Sequence, residues 1–465
     1  MGKRITLTPV TRIEGHAKVL VDVDDAGQVE RGHLQVLEIR GFEKFLENME
    51  LFKMPQFTAR ICGVCPAAHH LVSVQAIENG LGMTIPANAR RLRELLYVGH
   101  IIHSHALSTF FLLGPDLILG VDAPAAERNV FGILKADPEA ARKALRLRTI
   151  GQLTVEAVGG RGVHPVTAVP GGMAYRPADD RMAKIAAWGE EALGILDDLA
   201  GIVRDRLETL AEIREATRLP FISMAVSQQG KADFLEGEVR VLDTDGTPIL
   251  SFAPEKYADH LVEGVMPGSY MKNVRVRGRE DRVQVVGPLA RLHANERLGT
   301  PKADAMLQEY RRETGGKMAV TDFIRARLIE MTHCAERMAA IPQEMDAGPV
   351  KADEPPYREG RYVGLIEAPR GVLIHDYTAD DKGKITSANL IVATQNNYDA
   401  IDASVTAAAK AFYGQKGDDY FMNGLEFVVR CFDPCLACAT HALGRMPMEV
   451  IIRRGDEIVR RFERR

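Results

Sequence analysis

Cysteine is scarce in this chain and unevenly spread: six residues in 465, four of them in two C-x-x-C pairs. So few thiols exclude a small disulfide-stapled scaffold, and a chain this long can bury a core without staples. An excess of one charge is also lacking. The net charge is −4, which favours neither nucleic acid nor an anionic membrane as the main partner. No basic segment followed by an apolar run stands at the start, so no secretory signal is expected. Long apolar runs are missing too: the most apolar stretch, Ala106 to Val121, is interrupted by Gly114-Pro115-Asp116 and is too short to span a bilayer. There are no internal repeats and no low-complexity tracts. The expectation is a cytoplasmic protein with no membrane span, whose reduced thiols are free to bind metal. Length alone gives two or three domains as a starting estimate.

The residues present describe local hairpins and long helices. Ile5 to Leu7, Ala17 to Val23 and His33 to Ile39 read as strands, with a turn at Asp24 to Gly27. A helix is predicted over Ala87 to Leu113, opened by Pro86 and stopped by Gly114-Pro115. Another is predicted over Asp137 to Val158, with Asp137 as N-cap and Pro138 at the first helical position. Further helices are predicted over Ala178 to Ala216, Pro301 to Ile341, Asp399 to Phe412 and Asp418 to Arg430, and a linker over Pro342 to Arg358. Hairpins are expected at 235–253 and around Asp380 to Gly383. The fold class this implies is α+β, with long central helices forming a bundle and β-hairpins at the periphery.

The two cysteine pairs are Cys62-Gly-Val-Cys65, within Arg60 to His70, and Cys435-Leu-Ala-Cys438, within Asp433 to His441. Each pair can place two thiolates on one metal, and together they complete a four-sulfur site. Spacing alone leaves other readings open: a redox dithiol beside a merely buried pair, structural zinc, or an iron–sulfur cluster. The flanks favour metal ligation. Pro66 follows the first pair, Pro434 precedes the second, and each pair leads into a helical stretch whose free N–H groups favour thiolate.

The sequence resembles the large, catalytic subunit of [NiFe]-hydrogenases along its whole length. Thr11-Arg-Ile-Glu-Gly-His16 and Arg40-Gly-Phe-Glu43 are similar to that family's N-terminal signatures, Glu367-Ala-Pro-Arg-Gly371 to its arginine loop, and Asp433 to His441 to its C-terminal signature. Finer matches, among them His103-Ser-His105, Pro170-Gly-Gly172 and Gln395-Asn-Asn397, point to the cytoplasmic bidirectional group, NAD-linked or heterodisulfide-reductase-linked. The resemblance implies that Cys62 and Cys435 are terminal nickel ligands and that Cys65 and Cys438 bridge nickel and an iron carrying carbon monoxide and cyanide. It implies Glu14 as the proton acceptor from Cys435 and Arg370 as the guanidinium above the site. Thr394 would bond a cyanide, and His69 would bond a cysteine sulfur, with Asp433 close by. Glu43, the backbone of Leu390 and His441 would hold magnesium.

The implied activity is reversible heterolytic oxidation of dihydrogen. A non-catalytic relative serving as a structural subunit of a redox complex is the alternative, disfavoured because all four cysteines are kept. His100, His103 and His105 read as packed groups rather than a second metal site. Implied partners are an iron–sulfur small subunit, further electron-transfer subunits of diaphorase or heterodisulfide-reductase type, and a maturation endopeptidase. The endopeptidase would cut between His441 and Ala442, leaving 1–441 as a single domain and removing the arginine-rich segment 442–465. Met448 to Ile452 and Ile458 to Phe462 could instead pair as a lasting hairpin.

Overall fold

The computed structural model describes residues 3–266, 268–440, 448–454 and 457–464. Its five principal central helices are α1 (Pro66–Leu81), α2 (Ala87–Ala106), α3 (Pro138–Gly159), α4 (Asp179–Glu208) and α5 (Asp322–Glu344). α2 packs on α3 and α5, and α4 packs on the same two helices, closing a four-helix bundle. Glycines let these helices approach closely. A Cβ on Gly151 would lie 2.5 Å from the backbone nitrogen of His103, and one on Gly189 would lie 2.6 Å from that of Ala339. Local signals set the helix ends. The Asp137 side chain accepts from Ala140 N at 2.9 Å, with Pro138 in the first turn. Beyond Ala106 the backbone widens through Leu107–Leu112, where Leu113 N donates to the Ser108 carbonyl five residues back.

The strands lie around this centre. β1 (Lys3–Leu7), β2 (Ala17–Val23) and β3 (Val29–Val36) form an antiparallel meander. β4 (Ile222–Gln228), β5 (Glu238–Leu242) and β6 (Pro248–Phe252) form the antiparallel part of a five-stranded sheet, joined in parallel by residues 284–285. β7 (Gly360–Ala368), β8 (Gly371–Ala379) and β9 (Ile385–Ile391) form a third sheet, against which α1 packs. Helices α6 (Tyr398–Phe412) and α7 (Asp418–Cys431) follow, with α6 lying on β3. One continuous apolar core runs from Leu7 to Ala439. The α+β class with a helical bundle holds.

Several boundaries differ from expectation. The predicted helix Pro301 to Ile341 is divided at Gly315 and Gly316, whose φ angles of 59° and 77° lie outside the right-handed helix. The helix predicted to Ala216 stops at Glu208 and resumes over Ala211–Ala216. α5 continues through Pro342 to Glu344, so the linker begins later than predicted. The third N-terminal strand covers Val29–Val36 rather than 33–39. Segments Met448–Arg454 and Glu457–Arg464 pair as an antiparallel hairpin. Among the described residues one stretch, Ala87–Leu112, is long and apolar enough to cross a membrane, and 78% of its most apolar window is buried inside the protein.

A side chain at Gly151 must push α2 and α3 apart. Gly151→Leu should destabilise the protein by about 3 kcal/mol, measured by denaturant unfolding, whereas the same change at Gly194, which has open space around it, should cost far less.

Candidate metal centre

The turn Cys62–Cys65 ends in α1, with Cys65 as its N-cap and Pro66 in its first turn. Within the turn, Val64 N and Cys65 N donate to the Cys62 sulfur at 3.2 and 3.4 Å. The second pair is set by a strained residue. Asp433 has φ 52°, a left-handed conformation that reverses the chain after α7 and feeds Pro434 into Cys435. A short helix, Leu436–Ala439, then carries Cys438.

The two pairs meet. Sγ of Cys62 lies 3.3 Å from that of Cys435, Cys65 Sγ lies 3.3 Å from Cys438 Sγ, and Cys435 Sγ lies 2.9 Å from Cys438 Sγ. All four are buried, none forms a disulfide, and all four sulfurs fall within 4.8 Å of one another. Among the described residues this is the one group of histidine, cysteine and acidic side chains placed to hold a metal ion. The donor set is entirely soft and enclosed, which fits nickel and low-spin iron and does not fit a hard cation. Hydrogen bonds from Cys435, Cys438 and Cys65 draw Cys62 well below the usual thiol range, while burial pushes Cys435 and Cys438 well above it.

Around the sulfurs stand most of the sequence-predicted residues. Glu14 forms a parallel bridge with Cys435: its carbonyl accepts from Leu436 N at 3.1 Å and its Oε2 from Ala437 N at 3.0 Å. Burial, then the charge of Cys62, raise its carboxyl above the ordinary value, against hydrogen bonds from Ala437 and Cys435. Arg370 is buried and clamped by Asp433, with Nε on the carbonyl at 2.5 Å and Nη2 on the carboxylate at 3.0 Å. Burial works against its charge, but Asp433 and then Cys435 hold the guanidinium well above its usual pKa. Thr394 Oγ1 accepts from Cys435 N at 3.0 Å. His69 reaches His375, Nδ1 to Nε2 at 3.0 Å, and His375 continues to Tyr377.

Glu43 and Leu390 are brought together, with Leu390 N donating to Glu43 Oε1 at 2.9 Å. The Thr440 carbonyl, at the end of the C-terminal signature, accepts from Arg40 N and Gly41 N at 2.8 and 3.2 Å. His441 and Ala442 lie outside the described residues.

Sequence reasoning missed a buried ion network next to the arginine loop. Arg291 donates to both oxygens of Glu330 at 2.6 Å and to Glu367 Oε2 at 2.8 Å, and His105 Nε2 lies 2.7 Å from Glu330. Burial alone would raise Glu330, but Arg291 draws its carboxyl down to about 2, while burial lowers His105 to about 4. The available signal was an acid, Glu330, among the apolar residues of α5 and a base, Arg291, among those of Pro288–Ala294.

Four buried thiols, drawn from segments near both ends of the chain onto one soft-metal site, define a thiolate metalloprotein. The chain belongs to the nickel-dependent hydrogenase family and is a large-subunit member. The family model described as nickel-dependent hydrogenase matches residues 40–146 and 247–441, and a model described as HoxL-like matches residues 4–39. The chain is 35% identical to the NAD-reducing hydrogenase HoxS subunit beta of Cupriavidus necator, over 97% of each chain. It is 36% identical to a chain of the F420-non-reducing hydrogenase of Methanothermobacter thermautotrophicus, over 98% of this chain and 99% of that one. A crystal structure of an NAD+-reducing [NiFe]-hydrogenase in the H2-reduced state superposes with a TM-score of 0.91 at 36% identity, over 94% of this chain and 99% of the other. The Ni-Fe-Se hydrogenase of D. vulgaris Hildenborough, at 24% identity and a TM-score of 0.78, shares the fold over 95% of this chain and 100% of its own. Family membership makes the chain an oxidoreductase acting on hydrogen at a nickel–iron site.

Asp433 is the acidic side chain that clamps Arg370. Asp433→Ala should leave a buried guanidinium short of its partner and destabilise the chain by about 3–5 kcal/mol, read by chemical denaturation of the purified protein.

Proposed function

We propose that the chain carries out reversible heterolytic oxidation of dihydrogen with Cys62, Cys65, Cys435 and Cys438 as the metal ligands; Cys62 and Cys435 would be terminal to nickel, and Cys65 and Cys438 would be shared between nickel and iron. The observation that carries this reading is the convergence of the four buried sulfurs with Glu14 hydrogen-bonded against Cys435. When bound, nickel and an iron bearing carbon monoxide and cyanide polarise dihydrogen and take up its electrons. Glu14 receives the proton from the Cys435 sulfur: its carboxyl is already within hydrogen-bonding reach, and its raised pKa suits it to hold a proton before passing it outward. Arg370, fixed by Asp433, presents a planar guanidinium to the site, and Thr394 holds the Cys435 backbone while its hydroxyl can serve a cyanide. His69, oriented by His375, would tune a cysteine sulfur. Glu43, the Leu390 backbone and His441 would hold a magnesium ion at the closure of the C-terminal signature.

The electrons need a way out. Cys334 and Cys431 are the only cysteines left; both are buried, and burial raises both thiols. Two thiols cannot hold the usual four-thiolate cluster, so the reading requires an iron–sulfur small subunit, followed by electron-transfer subunits of diaphorase or heterodisulfide-reductase type in the cytoplasm. A maturation endopeptidase would cleave His441–Ala442 after nickel insertion, leaving 1–441 as the working domain.

Glu14→Gln tests the proton step. The amide keeps the shape but cannot accept a proton, so deuterium–hydrogen exchange should fall by about a hundredfold or more while nickel and iron content stay the same. Exchange at the wild-type rate would place the relay elsewhere. The processing step is checked by intact mass of the active enzyme: a subunit ending at His441 is expected, and full activity with residues 442–465 retained would refute cleavage.

A further inference from the structure

Several buried hydroxyls on the helices of this chain turn back onto their own backbone. Thr154, Thr217, Thr314, Thr332 and Ser404 each donate to the carbonyl four residues earlier, at 2.6 to 3.0 Å. Ser104 and Ser108 do not. Both are fully buried, on α2 and the widened turn that continues it, yet among the described residues neither Oγ has a hydrogen-bond partner. The same is true of Nε2 of His100, four residues before Ser104. These atoms recur at every fourth residue, so they lie along one helix face about 6 Å apart.

The first turn of that face lies against the arginine loop. Tyr97, one turn before His100 on the same side, donates its hydroxyl to the Glu367 carbonyl at 2.5 Å, at the start of the loop that ends in Arg370. His100 lies within electrostatic reach of both Arg370 and Cys62. Two further buried donors lack partners among the described residues, Nη1 of Arg370 and Nη1 of Arg327. At the other end, Leu112, four residues past Ser108, accepts from Arg12 Nη1 at 2.6 Å. Arg12 Nη2 reaches Asp116 Oδ1 at 2.6 Å, Arg430 joins Asp116 at 2.9 Å, and Thr11 Oγ1 lies 3.2 Å from Glu426. The Arg12 side chain is 17% exposed, so this cluster touches solvent.

Buried polar atoms without protein partners are commonly met by internal water, each molecule making about three hydrogen bonds. A water bonded to two oxygens at roughly 2.8 Å spans a gap close to the spacing of this row. We propose that His100, Ser104 and Ser108 hold a row of ordered waters that forms a second proton track, separate from Glu14, between the metal centre and the Arg12–Asp116–Glu426 cluster. Each hydroxyl or water accepts one proton and passes on its own, so no bond is gained or lost along the row. The proposal rests on the hydrogen-oxidising reading above.

High-resolution crystallography of the metal-loaded enzyme with its partner subunits should show waters within hydrogen-bond distance of Ser104 Oγ and Ser108 Oγ. A dry, closed face there overturns the proposal. In the Glu14→Gln enzyme, adding Ser104→Ala and Ser108→Ala should lower the residual deuterium–hydrogen exchange by about tenfold, the effect of one lost relay hydrogen bond, with metal content and melting temperature unchanged. An unchanged residual rate, or no residual exchange in Glu14→Gln alone, overturns the track. Failure of the underlying reading has a different signature, a wild-type enzyme without exchange, and crystallography still reads the water row directly.

Discussion

Cys62 and Cys435 are 373 residues apart in the chain, yet their sulfurs touch at 3.3 Å inside a cluster of four. Four thiolates at such spacing would repel one another without a cation among them, so holding a metal there needs a scaffold stiff enough to keep the ligands in place. Closing a loop of this length costs roughly 4 kcal/mol more than closing one of about four residues. Stitching of the two termini offsets it. Leu436 N bonds the Glu14 carbonyl, Arg40 and Gly41 bond Thr440, and Leu34 N bonds Asp402 at 2.8 Å. Arg430 adds bonds to the Thr11 carbonyl and hydroxyl, both at 2.8 Å. The meander β1–β3 is therefore part of the metal site's support, although none of its residues is a ligand.

The second support is charge. Arg291, Arg327, Arg370 and Arg430 are buried, and each is tied to a carboxylate, a backbone carbonyl or both. A buried ion pair is weak evidence of net stability, but losing one partner is expensive, so such pairs fix geometry firmly. That suits a site in which the guanidinium of Arg370 and the carboxyl of Glu14 must keep their positions while protons move. Asp433 does two jobs in this arrangement: its backbone reverses the chain into Cys435, and its side chain clamps Arg370.

The parts of this arrangement legible in the sequence are those written locally. Asp137-Pro138 marks a helix start because the side chain and the ring act within one turn, and the cysteine pairs are visible because three-residue spacing is what chelation requires. The family signatures draw attention to Glu14, Glu43, Arg370, Thr394 and Asp433; the fold gathers Glu14, Arg370, Thr394 and Asp433 around the Cys435 segment, while Glu43 meets Leu390. What cannot be read is what depends on distant partners. Arg291, Glu330 and Glu367 are separated by 39 and 76 residues and follow no local pattern. The break at Gly315-Gly316 is masked by the helical pattern on either side. Ser104 and Ser108 look like ordinary helix residues until their missing back-bonds are seen in three dimensions.

Metal analysis of the purified chain with its partner subunits tests the central claim most directly. The account predicts one nickel per chain and one iron beyond those of the partner subunit's clusters, both lost when Cys65 and Cys438 are replaced by serine while the fold is retained. Zinc alone, or iron without nickel on the four sulfurs, would contradict it.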